Sequence, residues 1–454
     1  MQLSDIKKIY FLGIGGIGMS AIARYFNHHG VKVYGYDLVN TSLTKKLEDE
    51  GMIIHYKEDI SAIPKDIDLV VLTPAIPYEH EELKWFQKNN YTIKKRAEVL
   101  GLLSQEMNSI AIAGTHGKTT TSSLIGHILK YCGKDVTAFL GGILAEENSN
   151  YIQGDSDLVV LEADEYDRSF LHLHPTVLAI MSMDADHLDI YGTVEEMYKA
   201  YKQLTFQIKE NGLLLLGPDV ARKMSYEWMK GLAEKGIRVK RMFKDFDYEN
   251  IRVEDSRYYF DSRGVSEIKN IKSNLPGLHN LKNTIVGIQI CQELGLSNQE
   301  IKKAISEFKG IKRRFEIVFE GDRILVDDYA HHPEELKNAV ETVKDLYPGK
   351  KVLGVFQPHL FSRTKDFYRD FADELSHIDG IIVLPIYPAR EEPIEGIKSE
   401  LIYNLIKSNH KYLEEAPGFI NRIKELKDYE VIITIGASDL DKYHGEIIKI
   451  LKKK

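Results

Sequence analysis

The ten residues Ile112 to Thr121, IAGTHGKTTT, place two glycines, a lysine and three threonines directly after an apolar run. Residues 109–113 predict a short buried strand, and residues 121–133 have the apolar spacing of a helix that ends at a glycine. A strand, a glycine-rich turn and a helix N-terminus together form a phosphate cradle, because backbone N–H groups and the positive end of the helix dipole converge there. The pattern predicts a nucleoside triphosphate site.

In such a site Lys118 would neutralise the β- and γ-phosphates, and the hydroxyl of Thr119 or Thr120 would hold a magnesium ion. The spacing departs from the standard phosphate-binding loop, because Ile112 stands where that motif has its first glycine. The shorter sequence GTHGKT must therefore carry the prediction. The alternative is an ordinary strand-to-helix turn with a lysine on the surface.

A second glycine-rich turn lies near the N-terminus. Gly13, Gly15 and Gly18 follow a predicted strand and open a predicted helix, and Asp37 ends the next strand about 20 residues on, as in the dinucleotide-binding fingerprint. The same backbone geometry accepts any diphosphate, including that of a UDP-sugar. Two classes of protein therefore remain open at this point: an NAD-dependent oxidoreductase with an ATP site, and a transferase that joins a diphosphate-linked substrate to ATP chemistry.

The composition narrows these classes further. A chain of 454 residues is too long for one core, and about 150 residues per domain predicts about three domains. The net charge of −8 without a long single-sign block gives no indication of binding to nucleic acid or to an anionic membrane. The chain has only two cysteines, which is typical of a protein in a reducing cytosol. Its N-terminus does not resemble a signal peptide, and no apolar run reaches the 18 residues of a membrane helix. We therefore expect a soluble cytoplasmic protein.

Strand and helix patterns alternate along nearly the whole chain, which predicts an α/β fold. The pattern restarts near Met107 and Lys312, and we therefore expect domains at 1–106, 107–311 and 312–454. The segment 238–274 differs, since its alternating polar and apolar residues suggest an antiparallel insertion.

Eight motifs in fixed order resemble those of the Mur ligases: GIGGIGMS, AGTHGKTTT, EADEYDRSFLHLHP, DADHLDIYG, LPGLHNLKN, GIKRRF, VDDYAHHPEE and FQPHLFSRT. The resemblance spans nearly the whole chain. It implies a Rossmann-like N-terminal domain for a UDP-sugar, a P-loop-type central ATPase domain with a mixed sheet, and a Rossmann-like C-terminal domain that binds an amino acid and closes on ATP.

Within that family the chain is most similar to the branch that joins L-alanine to UDP-N-acetylmuramate in peptidoglycan biosynthesis. The resemblance implies that ATP phosphorylates the lactyl carboxylate of the sugar and that the amine of L-alanine attacks the acyl phosphate. The anionic transition states of such steps call for cations and a metal ion. The nearest alternative adds murein tripeptide to the same sugar, whereas an oxidoreductase is supported by the first glycine turn alone.

The resemblance also assigns residues to the chemistry. Lys118, Glu162 and His187 would be catalytic, Thr119 and Glu162 would hold a first Mg²⁺ and His187 a second metal ion. Histidine is an unusual magnesium ligand, and the alternative for His187 is a hydrogen-bonded core histidine.

The remaining expected contacts fall into three groups. ATP would be bound by Gly114, Thr115, His116, Gly117, Lys118, Thr119, Thr120, His279, Asn280, Asn283, Arg314 and Asp328. UDP-sugar would be bound by Gly13, Gly15, Gly16, Gly18 and Asp37. The amino acid would be bound by Tyr329, His332, Arg363 and Arg390. Alternatively, the two asparagines cap and face a helix and the arginines of the last group form surface ion pairs.

Lys202 lies fifteen residues after His187, the spacing at which several sister Mur ligases carry a carbamylated lysine that helps to hold the second metal ion. A lysine next to Lys199 on an amphipathic helix is most often solvated. We therefore predict an unmodified Lys202 without a metal role.

Overall fold

The computed structural model describes residues 3–186, 188–389 and 391–452, except for the side chains of Ser4, Leu188 and Asp189. It divides into two compact units. The first comprises residues 1–247, 262–267 and 283–304, and the second comprises residues 248–261, 268–282 and 305–454. No helix of the described chain is long and apolar enough to cross a membrane.

The first sheet of the first unit has five parallel strands in the order β3-β2-β1-β4-β5. Its central strand, KIYFL, is almost entirely buried, as expected for a parallel strand covered by helices on both faces. The strands are β1 Lys8–Leu12, β2 Lys32–Tyr36, β3 Ile53–His55, β4 Leu69–Leu72 and β5 Ile93–Lys95. The helices are α1 Ile17–His28, α2 Ser42–Asp49, α3 Glu81–Lys88 and α4 Arg96–Glu106.

The second sheet has seven strands in the order β12-β11-β10-β6-β9-β7-β8. All neighbours are parallel except β7 and β8, so the sheet is mixed, as expected. The strands are β6 Asn108–Ala113, β7 Thr137–Leu144, β8 Ser149–Ile152, β9 Leu158–Ala163, β10 Val177–Ile180, β11 Leu213–Leu216 and β12 Arg238–Arg241. The helices are α5 Lys118–Tyr131, α6 Leu188–Tyr191, α7 Val194–Phe206, α8 Pro218–Lys223 and α9 Tyr226–Glu234.

Helix α1 joins these two sheets. The buried side chain of Asn150 donates hydrogen bonds to the carbonyl of Ile17 at 2.5 Å and to the hydroxyl of Ser20 at 3.2 Å, and it accepts one from Arg24 at 2.7 Å. Apolar residues from both sheets form one continuous core around this contact. The helix that follows the first glycine turn is therefore held directly against the sheet that carries the second.

The segment predicted as an insertion contains a three-stranded sheet in the order β13-β14-β15. Its strands are β13 Asp247–Glu254, β14 Arg257–Arg263 and β15 Ile268–Ser273. The first residues of the segment, 238–241, instead form the edge strand β12 of the central sheet. Two helices follow, α10 Leu278–Glu293 and α11 Asn298–Glu307.

The last sheet belongs to the second unit and has the order β16-β17-β21-β18-β19-β20. Only the edge pair β16 and β17 is antiparallel. The strands are β16 Glu316–Phe319, β17 Ile324–Asp328, β18 Val352–Phe356, β19 Gly380–Val383, β20 Lys411–Leu413 and β21 Val431–Ile435. The helices are α12 Pro333–Leu346, α13 Phe361–Leu375, α14 Glu400–Leu405, α15 Phe419–Glu425 and α16 His444–Leu451.

Candidate functional site

The loop GTHG connects β6 to α5 and has the backbone that a phosphate cradle requires. Gly114 has φ +128° and Gly117 has φ +82°, both in the region that favours glycine. A Cβ at Gly114 would lie 2.8 Å from the backbone nitrogen of Ser182, and one at Gly117 would collide with the amide oxygen of Asn283. The two glycines therefore give the loop its shape, and Asn283 lies directly against it.

The first turn of α5 meets β9 at the two residues expected to hold magnesium. The hydroxyl of Thr119 lies 3.0 Å from each carboxylate oxygen of Glu162. Parallel pairing of β6 with β9 produces this contact by setting Ile112 opposite Glu162. Gly141 on β7 leaves the space that Glu162 fills, since a Cβ there would collide with the carboxylate. A hydroxyl and a carboxylate are oxygen donors of the kind that Mg²⁺ prefers, so the pair fits the expected ion.

Lys118 forms a buried ion pair that the sequence did not predict. Its ammonium donates to both carboxylate oxygens of Glu165, at 2.8 and 2.7 Å, and to the carbonyl of Gly114 at 2.7 Å. Burial alone would lower the pKa of Lys118, but the carboxylates of Glu165, Asp164 and Glu162 outweigh it and raise the pKa. The lysine is therefore charged and held against the loop.

The segment that follows β10 supports the other side of the loop. The backbone N–H of His116 donates to the hydroxyl of Ser182 at 2.9 Å. The hydroxyl of Thr115 donates to the carbonyl of Asp184 and accepts from its N–H, both at 3.0 Å. Thr120 is buried in the first turn of α5. The loop residues and Asn283 are thus brought together in the first unit.

Two predicted site residues, His187 and Arg390, lie outside the described residues. Lys202 is exposed on α7, next to the fully buried Tyr201. The carbamate requires a partly buried lysine that faces the metal, so this exposure favours an unmodified side chain.

The first glycine turn brings its predicted residues together as well. The backbone N–H of Gly15 donates to the carboxylate of Asp37 at 2.7 Å. Gly16 precedes α1 as its N-cap and has no side chain to cap the helix, so it leaves the N–H groups of the first turn available to a ligand. A Cβ at Gly18 would lie 2.5 Å from the guanidinium of Arg96. Arg96, which contacts this turn, lies in none of the eight motifs.

Four further predicted ATP contacts belong wholly to the second unit. The side-chain amide of Asn280 donates to the carbonyl of Pro276 at 2.7 Å, next to His279 in the first turn of α10. Asp328 ends β17 and accepts from the N–H groups of Phe315 and Ala330, at 2.8 and 2.7 Å. Burial raises the pKa of Asp328 to about 7, and the nearby positive charge of Arg314 opposes this rise.

The residues predicted to bind the amino acid lie in the second unit, where Tyr329 and Arg363 have different neighbours from His332. Tyr329 packs under the guanidinium groups of Arg313 and Arg314, whose central carbons lie 4.9 and 5.6 Å from its ring centre. Arg363 lies 3.5 Å from Nδ1 of His359. His332 instead caps α12 and packs against Phe367, with 5.0 Å between ring centres.

Two other histidines, His331 and His359, lie next to Tyr329 and Arg363. The rings of His331 and His359 are 6.0 Å apart, and Nδ1 of His331 lies 2.9 Å from the carbonyl oxygen of Tyr329. Burial, together with His331 and Arg363, lowers the pKa of His359 to about 4. Sequence reasoning missed both histidines, although they stand in the quoted motifs VDDYAHHPEE and FQPHLFSRT. The two adjacent histidines cannot be distinguished by sequence, because the turn before α12 determines whether His331 or His332 lies on the side of Arg363.

Three family models match the chain in order. The model described as "Mur ligase family, catalytic domain" matches residues 8–107, "Mur ligase middle domain" matches 112–291, and "Mur ligase, glutamate ligase domain" matches 313–438. Together they span most of the chain.

Curated proteins match over the full length. The chain is 45% identical to the UDP-N-acetylmuramate–L-alanine ligase of Christiangramia forsetii, covering 100% of this chain and 98% of that protein. It is 41% identical to the enzyme of the same name from Porphyromonas gingivalis strain W83, covering 96% and 97%.

Among solved structures, the UDP-N-acetylmuramate-alanine ligase MurC of Thermotoga maritima matches with a TM-score of 0.80 at 27% identity, covering 97% of this chain and 98% of that one. A murein peptide ligase from Psychrobacter arcticus matches with a TM-score of 0.67 at 22% identity, covering 99% of each, and so shares the fold.

Proposed function

The chain belongs to the Mur ligase family, and we therefore propose that it is an ATP-dependent ligase that joins L-alanine to the lactyl carboxylate of UDP-N-acetylmuramate in peptidoglycan synthesis. Relatives that carry this name are 40–45% identical over essentially the whole chain, which supports the choice of sugar and amino acid. The use of ATP and a UDP-sugar is consistent with a cytoplasmic enzyme.

The position of Glu162 carries the proposal. On one side its carboxylate contacts Thr119 in the first turn after the nucleotide loop, and on the other it lines a cavity that reaches Gly18 of the first glycine turn. A carboxylate substrate held at the glycine turn and a phosphoryl donor held at the nucleotide loop would therefore meet at Glu162. Such a meeting suits a ligase, whereas hydride transfer to NAD makes no use of the nucleotide loop.

The residues fit the chemistry of an acyl-phosphate ligase. Lys118 would offset the charge of the β- and γ-phosphates of ATP while the sugar carboxylate attacks the γ-phosphorus, giving an acyl phosphate and ADP. The amine of L-alanine would then displace phosphate from the acyl carbon and form the amide. Arg363 suits the alanine carboxylate, because a guanidinium binds both carboxylate oxygens at once.

We also propose that the enzyme uses Mg²⁺, which the oxygen atoms of Thr119 and Glu162 would bind. When bound, the ion would neutralise charge on the phosphates and on the carboxylate that approaches them. The three domains at 1–106, 107–311 and 312–454 are likewise part of the proposal, as are the remaining predicted contacts to ATP, UDP-sugar and amino acid.

The test is phosphate release from ATP in the presence of UDP-N-acetylmuramate and either L-alanine, the murein tripeptide or no amine. We expect rapid release with L-alanine only, and loss of that release in Lys118→Ala with nearly unchanged UDP-sugar binding. Faster release with the tripeptide would assign the enzyme to the recycling branch of the family. No release with either amine would refute a ligase of this class.

A further inference from the structure

A cavity of about 240 Å³ in the first unit lies between the first glycine turn and Glu162. Gly18 and Arg96 line one side of it, and Gly141, Glu162 and Asp164 line the other. We propose that Arg96 binds the anionic part of the sugar nucleotide in this cavity and positions the sugar towards Glu162. This inference rests on the proposed function and names the residue that would join the two phosphate-binding turns.

Arg96 is placed by the local fold. It is the first residue of α4, immediately after β5, and the side chain lies across the Cα of Gly18 in the first turn of α1. A Cβ at Gly18 would be 2.5 Å from Nη1 and 3.0 Å from Cδ of Arg96, so only glycine leaves the guanidinium this position. The cation and the N–H groups at the start of α1 therefore converge on the same cavity, where both favour an anion.

Arg96 offsets the negative charge of the side chains that line the cavity. Among the described residues that line it, Arg96 is the only cation, and Glu162 and Asp164 supply two carboxylates. Without Arg96, the only charged side chains of described residues that line the cavity would be these two carboxylates, which oppose the binding of a diphosphate and a lactyl carboxylate. Arg96 is thus the side chain that offsets this repulsion.

The guanidinium also has donors left for a ligand. Its ion pair with the described residues is to Asp164, at 3.4 Å between Nη2 and Oδ2, with side chains 24% and 39% exposed. Such a long and partly solvated pair is weak. A guanidinium has five N–H donors in a planar fork that matches the paired oxygens of a carboxylate or phosphate. An incoming anion can therefore replace Asp164 at little cost.

Calorimetry with two nucleotides tests the proposal and distinguishes the two anionic groups. UDP-N-acetylmuramate carries both the diphosphate and the lactyl carboxylate, whereas UDP-N-acetylglucosamine lacks the carboxylate. We expect Arg96→Gln to weaken UDP-N-acetylmuramate binding at least about tenfold, which corresponds to 1.4 kcal/mol. An equal loss for both nucleotides would assign Arg96 to the diphosphate, and a loss confined to UDP-N-acetylmuramate would assign it to the carboxylate.

Two further variants separate binding from structure. Arg96→Lys keeps the charge and an aliphatic stem over Gly18 but loses the fork, and we expect an intermediate loss. Lys95→Gln removes the preceding cation in the chain, which forms an exposed pair with Asp167 at 3.2 Å and does not line the cavity, and we expect less than a twofold change. In turnover, Arg96→Gln should raise the KM for UDP-N-acetylmuramate and leave the KM for ATP within twofold.

Unchanged affinity for both nucleotides in Arg96→Gln and Arg96→Lys would overturn the inference. Equal weakening of sugar-nucleotide and ATP binding would also overturn it, because it would indicate a structural role. Failure of the wild-type protein itself to bind UDP-N-acetylmuramate would instead refute the proposed function, so the two failures are distinguishable.

Discussion

The ammonium of Lys118 lies 2.7 Å from Oε2 of Glu165, where the side chain of Lys118 is 13% exposed and that of Glu165 is 2% exposed. The lysine expected to bind the phosphates of ATP is thus paired with a carboxylate of the segment that follows β9. That segment has an unusual backbone, because Asp167 and Arg168 both have φ above +50°. ATP must therefore replace Glu165 as the partner of Lys118, or bind beside it.

We predict that Glu165→Gln binds a nonhydrolysable ATP analogue more tightly, by roughly three- to tenfold, because the triphosphate no longer competes with a carboxylate for Lys118. The same change should lower the free energy of unfolding by ~1–3 kcal/mol, since it leaves a buried ammonium with a neutral partner. Calorimetry and urea unfolding measure the two effects. Asp167→Asn is the control, since its carboxylate pairs with the exposed Lys95. Weaker ATP binding in Glu165→Gln would show that Glu165 assists the nucleotide.

Replacing Thr119 by valine should raise the Mg²⁺ concentration required for half-maximal activity, by about 10- to 100-fold. Valine keeps the shape of the side chain but removes the hydroxyl that lies 3.0 Å from both oxygens of Glu162. Thr119→Ser keeps the hydroxyl and should remain near the wild-type Mg²⁺ requirement. A valine variant with an unchanged Mg²⁺ dependence would remove Thr119 from the metal site.

Acid should destabilise the protein partly through His359, whose pKa is lowered to about 4 by burial, His331 and Arg363. Between about pH 6.5 and pH 4 the unfolded chain binds a proton at this residue and the folded chain does not, so stability falls as the pH falls. His359→Gln should therefore lose about 1–2 kcal/mol less than the wild type between pH 7 and pH 5. Urea unfolding at both pH values measures the difference, and parallel losses would contradict a neutral His359.

Lys202→Ala should retain near-normal ligase activity, because Lys202 is exposed on α7 and an exposed ammonium is poorly suited to carbamate formation. Lys199→Ala is a matched control from the same helix, where Lys199 pairs with Glu196 on the surface. A large loss in Lys202→Ala that added short carboxylic acids restore would establish the carbamate instead.

The family, the α/β fold and the position of both glycine turns could be predicted from the amino-acid sequence. These features are local: a glycine-rich turn between an apolar strand and a helix needs only the residues of that turn, as in GTHGKT after β6 and GIGGIG after β1. The order of eight motifs, which include these two turns, then identified the family. The mixed central sheet followed from the same resemblance.

Which side chains contact each other could not be predicted from the sequence, because these contacts join distant segments of the chain. Glu165 reaches Lys118 from 47 positions away, and Arg96 lies over Gly18 because β5 and β1 belong to one parallel sheet with α1 and α4 at their ends. In the same way, only packing between distant segments shows that His331 and His359, and not His332, lie near Arg363. Strand order and the direction of a side chain depend on packing between distant segments, and no local spacing in the chain encodes them.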